Sequence, residues 1–300
     1  MRRMPTLCLG EALVDLMCER PVSGLAQADA FVPHFGGAVA NVAVAAARLG
    51  APVALAGGAG DDAFGQWLRE HLEAEGVDLE WFGRTPRLAT PIAFVTVDES
   101  GEPEYAIYGE GIEALIVACG PGLDEAVERC DGLFFSSNTL AGTQERELTL
   151  RARERALELG RPICFDPNLR LHRWDSEQRA VESANLCVPG ALLVRCNRAE
   201  AQALTGLDDP EAAARALVAA GAATVVVTLG PDGALLRGAA HADVAGRPAR
   251  VLSTVGAGDA LMGVLLGRLA LAGYDPAAVA GALPEAIEAS ARATERWGAV

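Results

Sequence analysis

Three hundred residues, 51% of them hydrophobic and 22% charged, are enough for one large α/β domain or two small ones with an ample core. A formal net charge of -15 leaves no basic footprint for DNA, RNA or an anionic membrane, so any bound phosphate must be held locally by backbone amides, a few cations and a metal. Seven cysteines without a C-x-x-C pair, several inside apolar runs such as Pro162-Ile163-Cys164-Phe165, read as buried free thiols of a cytoplasmic protein. Met1-Arg2-Arg3 imitates the basic start of a signal peptide, but Glu11 and Asp15 cut the apolar stretch behind it, and no signal is expected.

Leu13 to Phe35 reads as hairpin-like. Gly36-Gly37-Ala38-Val39-Ala40-Asn41 then opens a helix of small residues that runs to Gly50. Two glycines there let backbone approach a ligand, and Asn41 offers a donor and an acceptor suited to sugar hydroxyls; tight packing of an alanine-rich helix on a sheet would use the same residues. After the apolar run Val53-Ala54-Leu55-Ala56, the segment Gly58-Ala59-Gly60-Asp61-Asp62-Ala63 satisfies the G-x-G-x-x-A dinucleotide pattern. Asp61 and Asp62 argue against that reading, because carboxylates at the helix start repel a pyrophosphate. A helix-like stretch from Phe64 to Glu75 follows.

Ala89 to Tyr108 is a second hairpin, with Ile92 to Val97 as one strand, Asp98-Glu99-Ser100-Gly101 as the turn and Tyr105 to Tyr108 as the return. A small β element drawn from about 12–35 and 88–110 suggests a lid on an α/β domain that spans 1–300. From Gly132 onward strand-like and helix-like runs alternate: Gly132 to Phe135, Gln144 to Gly160, Pro162 to Phe165, Leu192 to Cys196, Ala199 to Thr205 and Thr224 to Thr228. That order predicts a mainly parallel sheet with helices on both faces. Ala216 to Leu236 carries Asp232 as its one charge, yet Gly221, Gly230, Pro231 and Gly233 break it into helix, turn, strand and turn, and no membrane span is expected.

Several strand ends carry candidate chemistry. Ser136, Ser137 and Asn138 lack a G-x-S-x-G elbow, which excludes a serine hydrolase of that type. Asp166-Pro167-Asn168-Leu169-Arg170 sits where parallel sheets bind ligands; Arg170 is either a cation for a transferring phosphate or a solvated surface arginine. In Asn197-Arg198-Ala199-Glu200 the two polar residues form an N-cap and capping box, or Glu200 stands near a water-coordinated Mg²⁺. Thr228-Leu229-Gly230-Pro231-Asp232-Gly233 suits nucleotide ribose and phosphate, and equally an ordinary β-turn. His34, His71, His172 and His241 show no metal-ligand spacing.

Near the end, Ser253-Thr254-Val255-Gly256-Ala257-Gly258-Asp259 leads into an apolar helix. Small residues at a helix start bring backbone N–H groups and the positive end of the helix dipole to an anion. Asp259 repels phosphate unless it faces the nucleophile, where it accepts a hydroxyl proton; the other reading makes it a helix-start acid.

Taken in order, these segments resemble the ribokinase (PfkB) family of carbohydrate kinases over essentially the whole chain. The resemblance implies a three-layer α/β/α sandwich with a mainly parallel sheet, a small β-sheet lid over a sugar, and MgATP across the C-terminal strand ends. It implies γ-phosphoryl transfer to a sugar hydroxyl, with Asp259 as base, the amides of Gly256, Ala257 and Gly258 as anion hole, and Arg170 on phosphate. Asp15, Gly36, Gly37 and Asn41 would hold the sugar, joined by Tyr108, Asn138, Asp166 and Asn168; Asn197, Thr228, Gly230 and Gly233 would meet the nucleotide, and Glu200 would hold Mg²⁺ through water. Asp166 to Leu171 followed by Trp174, and the lid strand ending in Tyr108, are most similar to fructokinases, implying fructose phosphorylated at its 6-hydroxyl. A 2-keto-3-deoxygluconate kinase, a nucleoside kinase and a non-catalytic sugar- or nucleotide-binding regulator are the alternatives. Gly109-Glu110-Gly111 stands where many relatives carry arginine after the lid tyrosine, which weakens the case for an acidic sugar. Ser253 replaces an aspartate that relatives use in a monovalent-cation site, which leaves K⁺ dependence open. The open sheet edge of a lid is compatible with a homodimer.

Overall fold

The computed structural model describes residues 4–108 and 111–300; Gly109 and Glu110 lie outside the described residues. β1 (Thr6–Leu9) leads into β2 (Leu13–Pro21), β3 (Val32–Gly36), α1 (Ala38–Ala47), β4 (Val53–Gly60), α2 (Ala63–Ala74) and β5 (Phe82–Thr85). β6 (Ile92–Val97) and β7 (Pro103–Tyr108) form a hairpin before α3 (Ile112–Val117) and α4 (Gly120–Glu128). The alternating part comprises β8 (Gly132–Ser136), α5 (Thr143–Glu158), β9 (Ile163–Asp166), α6 (Glu177–Asn185), β10 (Leu193–Asn197), α7 (Arg198–Thr205), α8 (Pro210–Ala219) and β11 (Thr224–Thr228). β12 (Ala234–Gly238), β13 (Ala242–Val244), α9 (Ala257–Leu271) and α10 (Ala277–Thr294) complete the described chain.

Among the described residues, nine strands form one sheet in the order β13-β12-β11-β10-β9-β8-β1-β4-β5. Pairing is parallel from β5 to β11 and antiparallel at β12 and β13. Parallel strands are apolar on both faces because helices cover both. Leu7, Leu9, Phe135 and Phe165 pack with Leu123, Ala152, Ala184 and Ala213 on one side, while Cys8, Leu55 and Phe134 pack with Val42, Leu68, Leu265 and Leu283 on the other. Residues adjacent in one strand thus serve opposite layers, as the two-residue period of a strand requires. The result is a three-layer α/β/α sandwich.

A separate four-stranded sheet has the order β3-β2-β6-β7, with β2 and β6 parallel and each hairpin antiparallel. Its β6–β7 turn is built by Asp98, whose Oδ1 accepts from the Ser100 N–H at 2.8 Å and from the Ser100 hydroxyl at 2.6 Å. At the same turn the Gly101 carbonyl accepts from the Thr254 N–H at 2.8 Å, so the tip of the small sheet rests on the loop that feeds α9.

The dinucleotide-like glycines have a packing explanation. A Cβ at Gly58 would meet the Leu115 carbonyl, and one at Gly60 would meet the Leu88 carbonyl. Asp62 caps α2 by accepting from the Gly65 N–H at 2.8 Å and also accepts from the Thr90 N–H at 2.7 Å, so its carboxylate occupies the helix start that a pyrophosphate would need.

Close helix packing carries α9 to the sheet edge. A Cβ at Gly263 would fall on the Ala45 side chain, and one at Gly267 would meet the Ala46 backbone, so the small residues on both helices set the α1–α9 separation. Gly263→Val is expected to lower stability by about 1–3 kcal/mol through overpacking, read from urea denaturation. A change below about 0.5 kcal/mol would show that the helices separate freely.

Candidate active site

The C-terminal ends of β1, β8, β9 and β10 converge on the first turn of α9, the ligand edge of a parallel sheet. A cavity of about 490 Å³ lies under the small sheet, lined by Glu11, Asp15, Gly37, Asn41, Tyr105 and Asn138. Beside it a cavity of about 410 Å³ is lined by Asn168, Arg195, Asn197, Glu200, Thr254 and Gly258. Arg170, Gly256 and Asp259 line both. The two cavities therefore meet at one guanidinium, one helix start and two carboxylates, Asp259 and Glu102 of the small sheet.

Gly256 caps α9 in the left-handed region with φ 73°, and no side chain caps that end. A Cβ there would overlap the Ala299 backbone, so the turn needs glycine on two counts. The first turn has no side-chain cap and turns its dipole to the cavities, which Gly256 and Gly258 line; Ala257, the first helical residue, lines neither and donates its N–H to the Thr254 carbonyl at 3.4 Å. Asp259, two residues on, accepts a 2.9 Å hydrogen bond from Asn41 Nδ2, which joins α1 to α9 across the floor of the site. Burial lifts its carboxyl above the usual range, while the Asn41 hydrogen bond and the Arg170 and Arg195 charges pull it down and Glu11 pushes it up. Arg170 is exposed, and its side chain makes no ion pair or hydrogen bond with the described residues.

Asp15 projects from β2 into the larger cavity, and Gly36 makes room for it: a Cβ at Gly36 would strike the Asp15 carboxylate. Burial raises the Asp15 carboxyl to about 8, the Asp259 charge adding to the shift and Arg170 opposing it. Gly37 has φ 92° and lies against the Glu11 carbonyl, where a side chain would not fit. Asn138, just past β8, donates from Nδ2 to Glu11 Oε1 at 3.1 Å.

Other expected site residues have different surroundings. Tyr108 lines neither cavity; in β7 it is an odd number of residues from Tyr105, which faces the larger cavity, so it falls on the opposite face, 54% exposed and edge-on to Phe94 with ring centroids 5.5 Å apart. Asp166 is likewise outside both cavities. Its Oδ2 accepts from Arg195 Nη1 at 3.1 Å and its Oδ1 from the Asn168 N–H at 3.1 Å, with φ 37° at Asn168 making that turn. Burial pushes the Asp166 carboxyl up, and Arg195 opposes the shift. Glu200 closes a capping box with Asn197 and accepts from the Leu169 N–H at 2.9 Å, so both its oxygens already hold backbone. Thr228 accepts from Arg195 Nη2 at 3.0 Å. Gly230 has φ 62° with open space about it, whereas Gly233 has φ 103° and is packed on the Val244 carbonyl. Gly233 is thus a turn glycine that shapes the β11–β12 connection. Ser253 is fully buried, and its Oγ accepts from the Val255 N–H at 3.2 Å.

Two side chains stand out that motif reading left without a role. Arg195 sits inside β10, only 9% exposed, and its guanidinium lies where a Cβ on Gly258 would be. Glu11 follows β1 and accepts from the Ala38 N–H at 3.0 Å. The signal for Arg195 was a charged residue inside an otherwise apolar strand. Among the described residues no group of three or more His, Cys, Asp and Glu is placed to hold a metal ion, and no helix is long and apolar enough to cross a membrane.

Residues 6–291 match the model of the pfkB family carbohydrate kinases. The chain belongs to this family. It is 34% identical over 266 residues to fructokinase-1 of Oryza sativa subsp. japonica, covering 87% of this chain and 81% of that protein. The fructokinase of Vibrio cholerae O395, solved with fructose, ADP and calcium ion, superposes with a TM-score of 0.84 at 32% identity, covering 99% of this chain and 94% of that one. Aminoimidazole riboside kinase from Salmonella enterica, solved with aminoimidazole riboside and an ATP analogue, gives 0.81 at 28% identity, covering 98% and 95%. A PfkB carbohydrate kinase is an ATP-binding transferase.

The raised Asp15 carboxyl has a consequence for stability. Its pKa is 3.8 ordinarily and about 8 when folded, so folding favours the protonated form; this contribution is complete below about pH 4 and is lost as pH rises through 8. Asp15→Asn is expected to gain on the wild type by about 1–4 kcal/mol between pH 5 and pH 8 in urea denaturation of the ligand-free protein. Parallel pH profiles for the two proteins would rule out a buried, raised carboxyl.

Proposed function

We propose that the protein transfers the γ-phosphoryl group of ATP to a primary hydroxyl of a neutral sugar, fructose to fructose 6-phosphate being the preferred reaction. The observation that carries the reading is the junction of two cavities at Arg170, Gly256 and Asp259. The sugar lies under the small sheet, which acts as its lid within a single catalytic domain, and the phosphates lie over the start of α9. The hydroxyl oxygen bonds to the γ-phosphorus as the bond to the ADP oxygen breaks, and Asp259 takes the hydroxyl proton. A base whose pKa is lifted toward neutrality holds that proton better, which is the direction burial gives Asp259. Arg170, uncommitted to any described carboxylate, offsets the charge of the transferring group together with the first-turn amides of Gly256, Ala257 and Gly258. Asp15, Gly37, Asn41 and Asn138 orient the sugar; Asn197, Thr228 and Gly230 border the nucleotide, and Asn168, expected on the sugar, joins them because it lines the smaller cavity and not the larger one.

The donor set fits Mg²⁺ in the way this ion is commonly held, by phosphate oxygens and water with one nearby carboxylate, Glu200, rather than by a protein cage. Bound there, Mg²⁺ would neutralise charge on the phosphates. Ser253 supplies a hydroxyl already accepting from backbone and no carboxylate, so it does not fit the charged part of a monovalent-cation site. Seven free cysteines, all buried, suit the reducing cytoplasm. The aromatic outer face of the lid, with Phe31, Phe94 and Tyr108, is the surface through which a homodimer would form.

Fructose is favoured over 2-keto-3-deoxygluconate because Glu11, Glu102 and Asp259 line the cavity, Arg173 is committed to Glu145 at 3.0 Å and to the Asn138 carbonyl at 2.5 Å, and Arg170 is taken by the transferring phosphate. The likeness to a riboside kinase supports a nucleoside as the second reading. A panel of sugars, sugar acids and nucleosides with MgATP and coupled ADP detection separates these, and fructose is expected to give the highest kcat/KM. ADP release within about twofold with KCl or choline chloride is the expected result for Ser253. Binding without ADP release from any acceptor would favour a non-catalytic regulator. Asp259→Asn is expected to lower kcat by at least about 10³-fold while nucleotide affinity stays within about threefold. Near-normal kcat would remove Asp259 from its role as base.

A further inference from the structure

Glu11 is 6% exposed and lines the larger cavity, yet the transfer step gives it no part. Its Oε1 accepts twice, from the Ala38 N–H at 3.0 Å and from Asn138 Nδ2 at 3.1 Å. Its Oε2 is buried and finds no donor among the described residues. Asn41 Oδ1 and Asn138 Oδ1, on two other walls of the same cavity, are buried acceptors in the same condition. The nitrogen of each amide is already committed, to Asp259 and to Glu11 respectively, so turning either amide over would break a bond that is made.

Holding α1 and Asn138 in place needs one acceptor oxygen, which a glutamine would supply as well. A buried carboxylate oxygen without a donor is more costly than a neutral amide oxygen, so the second oxygen of Glu11 calls for a donor from the ligand. Three acceptors around one cavity call for a ligand rich in hydroxyl donors, and a carboxylate or phosphate placed against them would be repelled.

We propose that Glu11 is a sugar-specificity residue, its Oε2 accepting a hydrogen bond from a substrate hydroxyl other than the one phosphorylated, beside acceptors at Asn41 and Asn138. The substrate is thereby defined as a neutral polyhydroxylated sugar whose non-reacting hydroxyls face β1 and α1. This rests on the sugar-kinase reading above.

The experiment compares wild type with Glu11→Gln, which keeps size and one acceptor and turns the other into a donor. The acceptors are fructose and its monodeoxy analogues, or the best sugar of the panel and its analogues. The sugar KM of Glu11→Gln is expected to rise about 10- to 100-fold, with the KM for ATP within about twofold. One deoxy analogue is expected to lose about 10- to 100-fold in kcat/KM on the wild type and nothing further on Glu11→Gln, a pattern that mere disturbance of the fold does not produce. A sugar KM within twofold of wild type, or the same deoxy losses in both proteins, overturns the proposal. If Glu11→Gln does not fold, the wild-type series decides: equal kcat/KM for every deoxy analogue overturns it, and a selective loss at one hydroxyl supports it. A wild type that turns over no sugar overturns the sugar-kinase reading instead, so the two failures are distinct.

Discussion

The hydrogen bond from Asn41 to Asp259 depends on two helices, far apart in sequence, approaching closely enough for short side chains to meet. α1 enters from the β2–β3 hairpin and α9 from the loop after β13, and both lie on one face of the sheet. Alanine in α1 and glycine in α9 permit the approach; larger residues would hold the helices apart and pull the two side chains out of reach. Asp259, the first turn of α9 and one wall of the larger cavity are all referenced to this contact.

A second constraint comes from the parallel sheet. Strand ends at one edge deliver Glu11, Asn138, Asn168, Arg170 and Asn197 to neighbouring places, although they span almost two hundred residues of sequence. Buried charge fixes the loops between them. Arg195 ties Asp166 to Thr228 across three adjacent strands, Glu200 ties α7 to the Leu169 amide, and Glu145 with Arg173 ties α5 to Asn138. Removing one member of such a set leaves the other as an unpaired buried charge, so these contacts hold the site rigid more than they stabilise the fold.

The sequence expectations fared unevenly, and for physical reasons. Sheet, layers and helix starts follow from apolar periodicity, glycine and capping residues, which are local signals; the strands from Gly132 to Thr228 were legible on that basis. Asp61 and Asp62 were read against a dinucleotide from like-charge repulsion, which needs no tertiary knowledge, whereas the helix cap that Asp62 forms with the Gly65 amide emerged with the structure. Tyr108 was misplaced because strand side chains alternate, and a motif ending names a residue without naming its face. Arg195 and Glu11 were left without a role because their meaning lies in what they touch across the sheet.

The sequence by itself determined that this is an α/β chain of the PfkB family whose helix start at Gly256 to Asp259 suits an anion beside a proton acceptor, because those signals reside within a few consecutive residues. Only the tertiary structure decided that Asp259 faces Asn41, that Glu200 is engaged by backbone on both oxygens, and that two cavities meet at Asp259 and Arg170. Hydrogen-bond partners and burial depend on contacts between distant segments, and no local pattern encodes which atoms remain without a donor once those contacts have formed.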